Sequence, residues 1–265
     1  MVKGFETYSR NGWEGLVRHE WQDRVGDLDA WLEANPGQRV VNRLVRTVSR
    51  VVVDGEEVYV KVVKSIDDGD GHFGFRLWKR FKWRFLENRA MATLAVTAAM
   101  EQAGIRCAGA ILAVRRTHGF SAEEVFISKS VPYPSVGKIV RGMTDTEERK
   151  AVLRNVAEGL CDFHCRGFLH GDCIPGNLLW DGGHVHFIDN DRTRFVGRLS
   201  RHGARRNLVQ FCFHLLRKAE DAAMAEHFLA CYAEAMKTRG KVFDGTDAVM
   251  AKARRRFKMK EGEKR

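Results

Sequence analysis

The chain has 265 residues, 44% of them hydrophobic and 30% charged, which is enough apolar material for one large domain or two small lobes. Four prolines and the lack of any segment of biased composition exclude wholesale disorder. The formal net charge of +11 indicates an anionic partner, and by itself it fits a nucleotide, a phosphorylated sugar, an acidic membrane surface or nucleic acid equally well.

The first part of the chain combines tryptophans with turn residues. Residues 1–36 end at an Asn-Pro-Gly turn, and we expect them to form an N-terminal extension that packs on the rest of the chain. The tryptophans of this segment are Trp13, Trp21 and Trp31. Valine-rich sequence then flanks Asp54-Gly55, a strong signal for a two-residue hairpin turn. A small β-rich lobe is therefore predicted over residues 37–131.

A helix is predicted after this hairpin, because Met91, Leu94, Ala95 and Ala98 recur at helical spacing. The apolar stretch around it covers residues 90–100, about half the length needed to cross a bilayer, so a buried helix is expected. The N-terminus lacks the uninterrupted apolar core of a secretory signal, which favours a cytoplasmic location. Two further strands are expected, at residues 110–115 and 124–128.

The second half of the chain has helical patterns, and we predict a larger helical lobe over residues 132–251. The sequence Thr144-Asp145-Thr146-Glu147 matches a capping box and predicts the start of a helix. Two more helices are expected near residues 205–218 and 221–237. The remaining residues, 252–265, are taken as a basic tail. The predicted fold class is thus α+β, with a β-rich lobe followed by a helical one.

The residues with the most informative chemistry lie in one short stretch. His170-Gly171-Asp172-Cys173-Ile174-Pro175-Gly176-Asn177 forms a loop sequence, and Asp189 follows the apolar run 185–188. Together Asp172, Asn177 and Asp189 present oxygen atoms that can converge on a hard cation and on a hydroxyl group. Mg²⁺ prefers such oxygen ligands and commonly lies between protein groups and phosphates. A carboxylate that does not bind the metal can accept the proton of an attacking hydroxyl.

This pattern resembles the catalytic loop and metal-binding Asp of the protein-kinase-like superfamily, H-x-D-x-x-x-x-N followed by D-F-G. The resemblance implies a two-lobed kinase fold that uses ATP and Mg²⁺. It assigns the catalytic role to Asp172 and the metal ligands to Asn177 and Asp189. Lys61, at the end of Val58-Tyr59-Val60-Lys61, resembles the strand lysine that contacts the phosphates of ATP. Glu87 is the best candidate for its ion-pair partner on the next helix.

Several departures separate the chain from regulated protein kinases. No G-x-G-x-x-G precedes Lys61, and the corresponding turn is expected near residues 46–50, so other amides or side chains must cover the phosphates. Gly171 stands where typical protein kinases carry Arg, Asp189-Asn190-Asp191 replaces D-F-G, and no A-P-E follows. These differences fit the branches of the superfamily that act on small substrates.

Two such branches compete. The loop resembles H-G-D-x-x-P-x-N of the aminoglycoside and choline phosphotransferases. The ending Ile188-Asp189-Asn190-Asp191-Arg192 resembles instead the lipopolysaccharide core kinases of the Kdo/WaaP family. The run Arg206-Asn207-Leu208-Val209 also resembles that family, and the resemblance extends over roughly residues 39–232. The leading interpretation is therefore ATP-dependent phosphorylation of a sugar hydroxyl, on Kdo or heptose, in the inner core of lipopolysaccharide.

Two other functions remain open alongside this interpretation: a soluble small-molecule kinase of the aminoglycoside/choline type, and a catalytically silent pseudokinase that binds a partner. The expected partners are the lipopolysaccharide core or another sugar-containing small substrate, and an anionic membrane surface that meets the basic segments 76–84 and 252–260. No nucleic acid is expected as a partner, because no known binding motif appears. The expected location is the cytoplasm, peripheral on the inner face of the cytoplasmic membrane.

Overall fold

A computed structural model describes residues 2–43, 45–64, 88–118, 121–219 and 222–262 of the chain. The chain divides into two compact units, Met1–Ala99 with Ala108–Ser130, and Met100–Cys107 with Val131–Arg265. The first unit is rich in strands and the second is mainly helical. The predicted α+β class is thus confirmed. Glu87 and the basic segment 76–84 lie outside the described residues.

The first unit is built on an antiparallel sheet of seven strands in the order β1-β2-β6-β7-β5-β4-β3. The strands are β1 Phe5–Arg10, β2 Trp13–Arg18, β3 Gln38–Arg43, β4 Arg46–Val53, β5 Glu56–Lys64, β6 Ala110–His118 and β7 Ser121–Lys129. The predicted hairpin at Asp54-Gly55 is confirmed, and both residues have the positive φ, 50° and 81°, that a tight turn of this type requires. The strands predicted at 110–115 and 124–128 correspond to β6 and β7.

The N-terminal residues belong to this sheet. Within the range 1–36, β1 and β2 extend the sheet beyond β6, and two short helices follow, α1 Gln22–Val25 and α2 Leu28–Ala34. The side chains of Trp13, Trp21 and Trp31 are buried in the apolar cluster on one face of the sheet, together with Val58 and Val60. The tryptophan-rich segment therefore covers this face of the sheet.

The opposite face of the sheet is covered by helix α3 Arg89–Gln102, which is the helix predicted from the apolar stripe. Its residues Leu94 and Ala98 pack with Ala113 of β6 and with Phe126 of β7. Lys61 of β5 is paired directly with Phe126. Since directly paired residues share a face of a sheet, Lys61 lies on the face covered by α3.

The second unit contains five α-helices among the described residues: α4 Val136–Gly142, α5 Thr146–Cys165, α6 Arg201–Ala219, α7 Ala222–Thr238 and α8 Thr246–Gly262. Four short strands form two antiparallel pairs, β8 Phe168–Leu169 with β11 Arg194–Phe195, and β9 Leu178–Trp180 with β10 Val185–Phe187. The helices predicted near 205–218 and 221–237 correspond to α6 and α7. Among the described residues, no helix has the length and the apolar character needed to span a membrane.

One detail of this unit differs from the sequence prediction. The N-cap of α5 is Asp145 and not Thr144, because the Asp145 carboxylate accepts hydrogen bonds from the backbone amides of Glu147 and Glu148. These two bonds lower the pKa of Asp145. Residues 252–260, which the sequence analysis assigned to a basic tail, lie inside helix α8, and α8 buries Val249 and Ala253.

Candidate active site

The loop 170–177 lies between strands β8 and β9 of the second unit, and its ends are fixed by the two short strand pairs. Its own backbone turns twice: the amide of Ile174 donates to the carbonyl of Asp172 at 2.9 Å, and the amide of Asn177 donates to the carbonyl of Ile174 at 2.9 Å. The loop is therefore a compact, hydrogen-bonded turn. Such a turn can hold polar side chains in fixed positions.

Asp172 is oriented by two amide side chains. Nδ2 of Asn177 donates to Oδ2 of Asp172 at 3.2 Å and to its backbone carbonyl at 2.9 Å. Nε2 of Gln210, on helix α6, donates to Oδ1. The amide of Gln210 is fixed in turn, because its Oε1 accepts from the backbone N–H of Cys173 at 3.2 Å. Each carboxylate oxygen of Asp172 thus has a donor, so its rotamer is defined before any substrate binds.

The side chain of His170 is a neutral imidazole that hydrogen-bonds to the backbone on both sides of the site. Its Nδ1 accepts from the backbone N–H of Asp172 at 3.1 Å, so the ring proton is on Nε2, which donates to the carbonyl of Ile188 at 3.1 Å. The ring is 2% exposed and lies near the rings of Phe163 and Phe187. Burial lowers the pKa of His170, which keeps this tautomer neutral. His170 therefore connects the residue before Asp189 to the catalytic loop.

A second buried network attaches the loop to the helices. The side-chain amide of Asn207 on α6 accepts from the backbone N–H of His170 at 2.9 Å and donates to its carbonyl at 2.7 Å. The same amide oxygen accepts from Nε2 of His164 at 3.0 Å, and Nδ1 of His164 accepts from the hydroxyl of Tyr232 at 2.9 Å. Burial lowers the pKa of His164 to about 4 and raises the pKa of Tyr232. All three side chains are almost completely buried, and they hydrogen-bond to one another and to the backbone of His170.

Asp189 follows β10 in an unusual backbone conformation. Its φ and ψ are 55° and 57°, which lie in the left-handed region that residues other than Gly, Asn and Asp rarely adopt. The residue before it, Ile188, donates its backbone N–H to the carbonyl of Asn177 at 3.1 Å. Strain of this kind is typical of functional positions. The backbones of Asn177 and of the Asp189 turn therefore adjoin, as a shared metal site requires.

Gly171 packs against another segment of main chain. A β-carbon at position 171 would lie 2.1 Å from Cβ and 2.6 Å from Cα of Arg192, far inside van der Waals contact. Only glycine therefore fits here while the main chain of Arg192 occupies this place. This packing is the physical reason for a glycine where typical protein kinases carry Arg.

The predicted residues of the second unit thus lie on one pair of adjoining turns. Sequence reasoning missed Gln210 and did not identify what Asn207 does, although the run 206–209 was noted. Both residues belong to the same face of α6, since they are three positions apart. The two amide side chains on one face of this helix were the available signal.

Lys61 lies in the first unit, near the middle of β5.

The turn that the sequence predicted near residues 46–50 was placed wrongly. Residues 46–50 are part of β4, and the chain turns between Arg43 and Arg46. At this end of the sheet there is an open cavity of about 490 Å³. Its lining includes three cationic side chains, those of Arg43, Arg46 and Lys64.

Comparisons with known proteins identify a family and a fold. The model of the lipopolysaccharide kinase (Kdo/WaaP) family matches residues 72–232, more than half of the chain. A solved structure of WaaP in complex with acyl carrier protein has a TM-score of 0.64 and 16% sequence identity, and covers 92% of this chain and 97% of that chain. A solved structure of the amicoumacin kinase hAmiN in complex with AMP-PNP, Ca²⁺ and amicoumacin has a TM-score of 0.52 and 11% identity, and covers 88% of this chain and 84% of that chain. None of the curated proteins matches the chain.

At these identities the two solved structures establish the fold, which is that of the kinases, and the family model establishes the membership. The residues that resemble the kinase catalytic loop and metal-binding Asp, 170–189, all fall inside the matched range. The chain belongs to the lipopolysaccharide kinase (Kdo/WaaP) family and is an ATP-dependent sugar kinase.

Proposed function

We propose that this kinase transfers the γ-phosphoryl group of ATP to a hydroxyl of Kdo or heptose in the inner core of lipopolysaccharide. The observation that carries the proposal is the family match over residues 72–232. The orientation of Asp172 by Gln210 and Asn177 supports it, because phosphoryl transfer depends mainly on positioning and on charge neutralisation.

Each residue has a defined part in this reaction. Asp172 accepts a hydrogen bond from the attacking hydroxyl and then its proton, since its carboxylate is already oriented on the loop. Lys61 contacts the phosphates of ATP from its position on β5. His170 and Asn207 hold the loop so that neither Asp172 nor Asn177 needs to reorganise when the substrates bind.

The donor set of the second unit fits a magnesium ion. Asn177 uses its amide nitrogen to bind Asp172, so its amide oxygen faces away from that bond and can serve as a ligand. Asp189 supplies a carboxylate on the adjoining turn. Oxygen atoms of this kind are what Mg²⁺ prefers, and a bound Mg²⁺ neutralises charge on the phosphates. Asn177 and Asp189 would hold it.

The acceptor is tested by ATP turnover against a panel of truncated lipopolysaccharides, choline and aminoglycosides. We expect turnover only with lipopolysaccharides that retain the inner-core sugars, and none with a lipid A that lacks them. Product analysis should find the new phosphate on a Kdo or heptose hydroxyl. Turnover on choline or an aminoglycoside alone would instead support the alternative suggested by the H-G-D-x-x-P-x-N loop, and no turnover on any lipopolysaccharide would contradict the proposal.

We also propose that the enzyme works at the inner face of the cytoplasmic membrane and that helix α8 contacts anionic lipids there. Lys252, Arg255 and Arg256 are exposed on α8, and Met259 is 58% exposed on the same helix. Arg254 is engaged in an ion pair with Glu226. Each exposed cation near an anionic bilayer adds about 1 kcal/mol of attraction.

The triple variant Lys252→Gln/Arg255→Gln/Arg256→Gln should bind vesicles containing anionic lipid at least about tenfold more weakly than the parent at low salt. Substitution is preferable to truncation after Ala251, which would remove the buried Ala253 and most of a packed helix. The matched control is Arg154→Gln/Lys237→Gln/Arg239→Gln, which removes the same charge from exposed positions of the same unit. Vesicle binding that is equal in the parent and the α8 variant would refute the membrane proposal.

A further inference from the structure

Six arginines follow the Asp189 turn within fifteen residues, and we refer to residues 192–206 as the arginine segment. Its arginines, all exposed, are Arg192, Arg194, Arg198, Arg201, Arg205 and Arg206. No Asp or Glu occurs anywhere from residue 192 to residue 219. Such a concentration of one charge is self-repulsive and does not help the chain to fold.

Among the described residues, almost none of this charge is compensated by a carboxylate. Arg205 pairs with Asp244 at 3.3 Å. In the part of the chain that the structure describes, the other five arginines have no carboxylate within ion-pairing distance. Their guanidinium groups are therefore available to an external anion, and each offers a planar fork of donors that matches a phosphate or a carboxylate.

The arginine segment is fixed beside the catalytic loop through its main chain. Arg194 is paired with Leu169 and Phe195 with Phe168, in the strand pair that immediately precedes His170. The backbone N–H of Val196 donates to the carbonyl of Gly167 at 2.7 Å. The main chain of Arg192 packs against Gly171, the neighbour of Asp172. The segment therefore runs alongside the loop that presents the catalytic carboxylate.

An exposed aromatic ring and a helix N-terminus also lie within the arginine segment. The side chain of Phe195 is 59% exposed although its ring lies 4.9 Å from that of the buried Phe168. Helix α6 begins at Arg201, and Oγ of Ser200 accepts from the backbone N–H of Gly203 at its start. The positive end of the helix dipole thus reinforces the arginine charge. An exposed aromatic ring among unpaired arginines suits a sugar chain that carries anionic groups.

We propose that the arginine segment binds anionic groups, phosphates or carboxylates, of the acceptor oligosaccharide and holds its hydroxyl against Asp172. This inference rests on the proposed function, because it specifies the chemical class of the acceptor for the same site. Arg194 and Arg198 are the residues with which to test it, since Arg192 also lies in the Asp189 turn and Arg205 is already paired.

The experiment measures equilibrium binding of a deacylated inner-core oligosaccharide to the parent, to Arg194→Gln/Arg198→Gln and to Arg154→Gln/Arg239→Gln. Deacylation removes the lipid and therefore separates the segment from any membrane contact of α8. The second double variant is the matched control, because it removes two exposed arginines from the same unit outside the segment. A second probe is the same oligosaccharide with its phosphates removed and its carboxylates reduced.

We expect the Arg194→Gln/Arg198→Gln variant to bind the anionic oligosaccharide at least about tenfold more weakly than the parent and the control, which bind alike. The neutral oligosaccharide should bind equally weakly to all three proteins. Equal affinity of parent and segment variant, equal weakening in the control, or no binding by the parent would each overturn the inference. A parent that binds the oligosaccharide through these arginines but does not phosphorylate lipopolysaccharide would refute the proposed function alone.

Discussion

Asp172→Asn should lower kcat by about 10²–10⁴-fold, the usual contribution of a positioned general base. The carboxylate receives donors on both oxygens, from Gln210 and from Asn177, so it is fixed where an acceptor hydroxyl can reach it. An asparagine has only one acceptor oxygen there, and its NH₂ group would face one of these two donors. Both the proton acceptor and the orientation of the side chain are therefore lost.

Nucleotide affinity should survive this substitution, because the assigned contacts to ATP come from Lys61 and the metal ligands. The measurements are turnover at saturating ATP and acceptor, and Mg·ATP binding by titration. Asp162→Asn is a suitable control: Asp162 lies on α5 in the same unit and forms a surface ion pair with Arg166. The melting temperature of both variants reports whether the loop remains folded. Parent-like turnover by Asp172→Asn would contradict the kinase mechanism itself.

Asp189→Asn should weaken Mg²⁺-dependent ATP binding by at least about tenfold and should also abolish most turnover, because a carboxylate ligand of a divalent ion is replaced by a neutral amide. Asp189 is preferred over Asp191 as the ligand because it directly follows Ile188, whose backbone is bonded to Asn177. Its left-handed backbone conformation is also tolerated by asparagine, so the substitution removes charge without adding backbone strain.

The companion variant Asp191→Asn shows whether Asp189 or Asp191 binds the metal ion. ATP affinity is titrated for both variants at saturating Mg²⁺ and in the presence of a chelator. We expect the parent and Asp191→Asn to lose affinity when Mg²⁺ is removed, while Asp189→Asn has little Mg²⁺-dependent affinity to lose. The opposite pattern, in which Asp191→Asn abolishes the Mg²⁺-dependent component and Asp189→Asn retains it, would assign the metal to Asp191.

The sequence was informative wherever the structure depends on nearby residues. The hairpin at Asp54-Gly55 was predicted correctly because the required positive φ values are encoded in the two turn residues themselves. The loop 170–177 was identified because its residues act within a short stretch. The N-cap of α5 was placed one residue early, because Thr144 and Asp145 are both good caps and only the fold selects between them.

The errors and omissions concern contacts between distant segments. Strand β3 was not anticipated, since this edge strand is mostly exposed and lacks the alternation that marks a strand, and the turn before Arg46 was therefore misplaced. Gln210 lies 38 positions from Asp172 in the sequence, so its role became visible only when α6 was seen to lie beside the loop. The role of Asn207 depends on its burial against His170 and His164.

The contact between Gly171 and Arg192 has an evolutionary consequence. Any single substitution of the glycine introduces a β-carbon where the main chain of Arg192 already lies, so this position cannot change alone. An ancestor or descendant with arginine there, as in regulated protein kinases, would first have to displace the turn that comes after Asp189. Regulated protein kinases use arginines to bind a phosphate on the activation segment, and in this chain position 171 cannot supply such an arginine unless the turn at Arg192 moves.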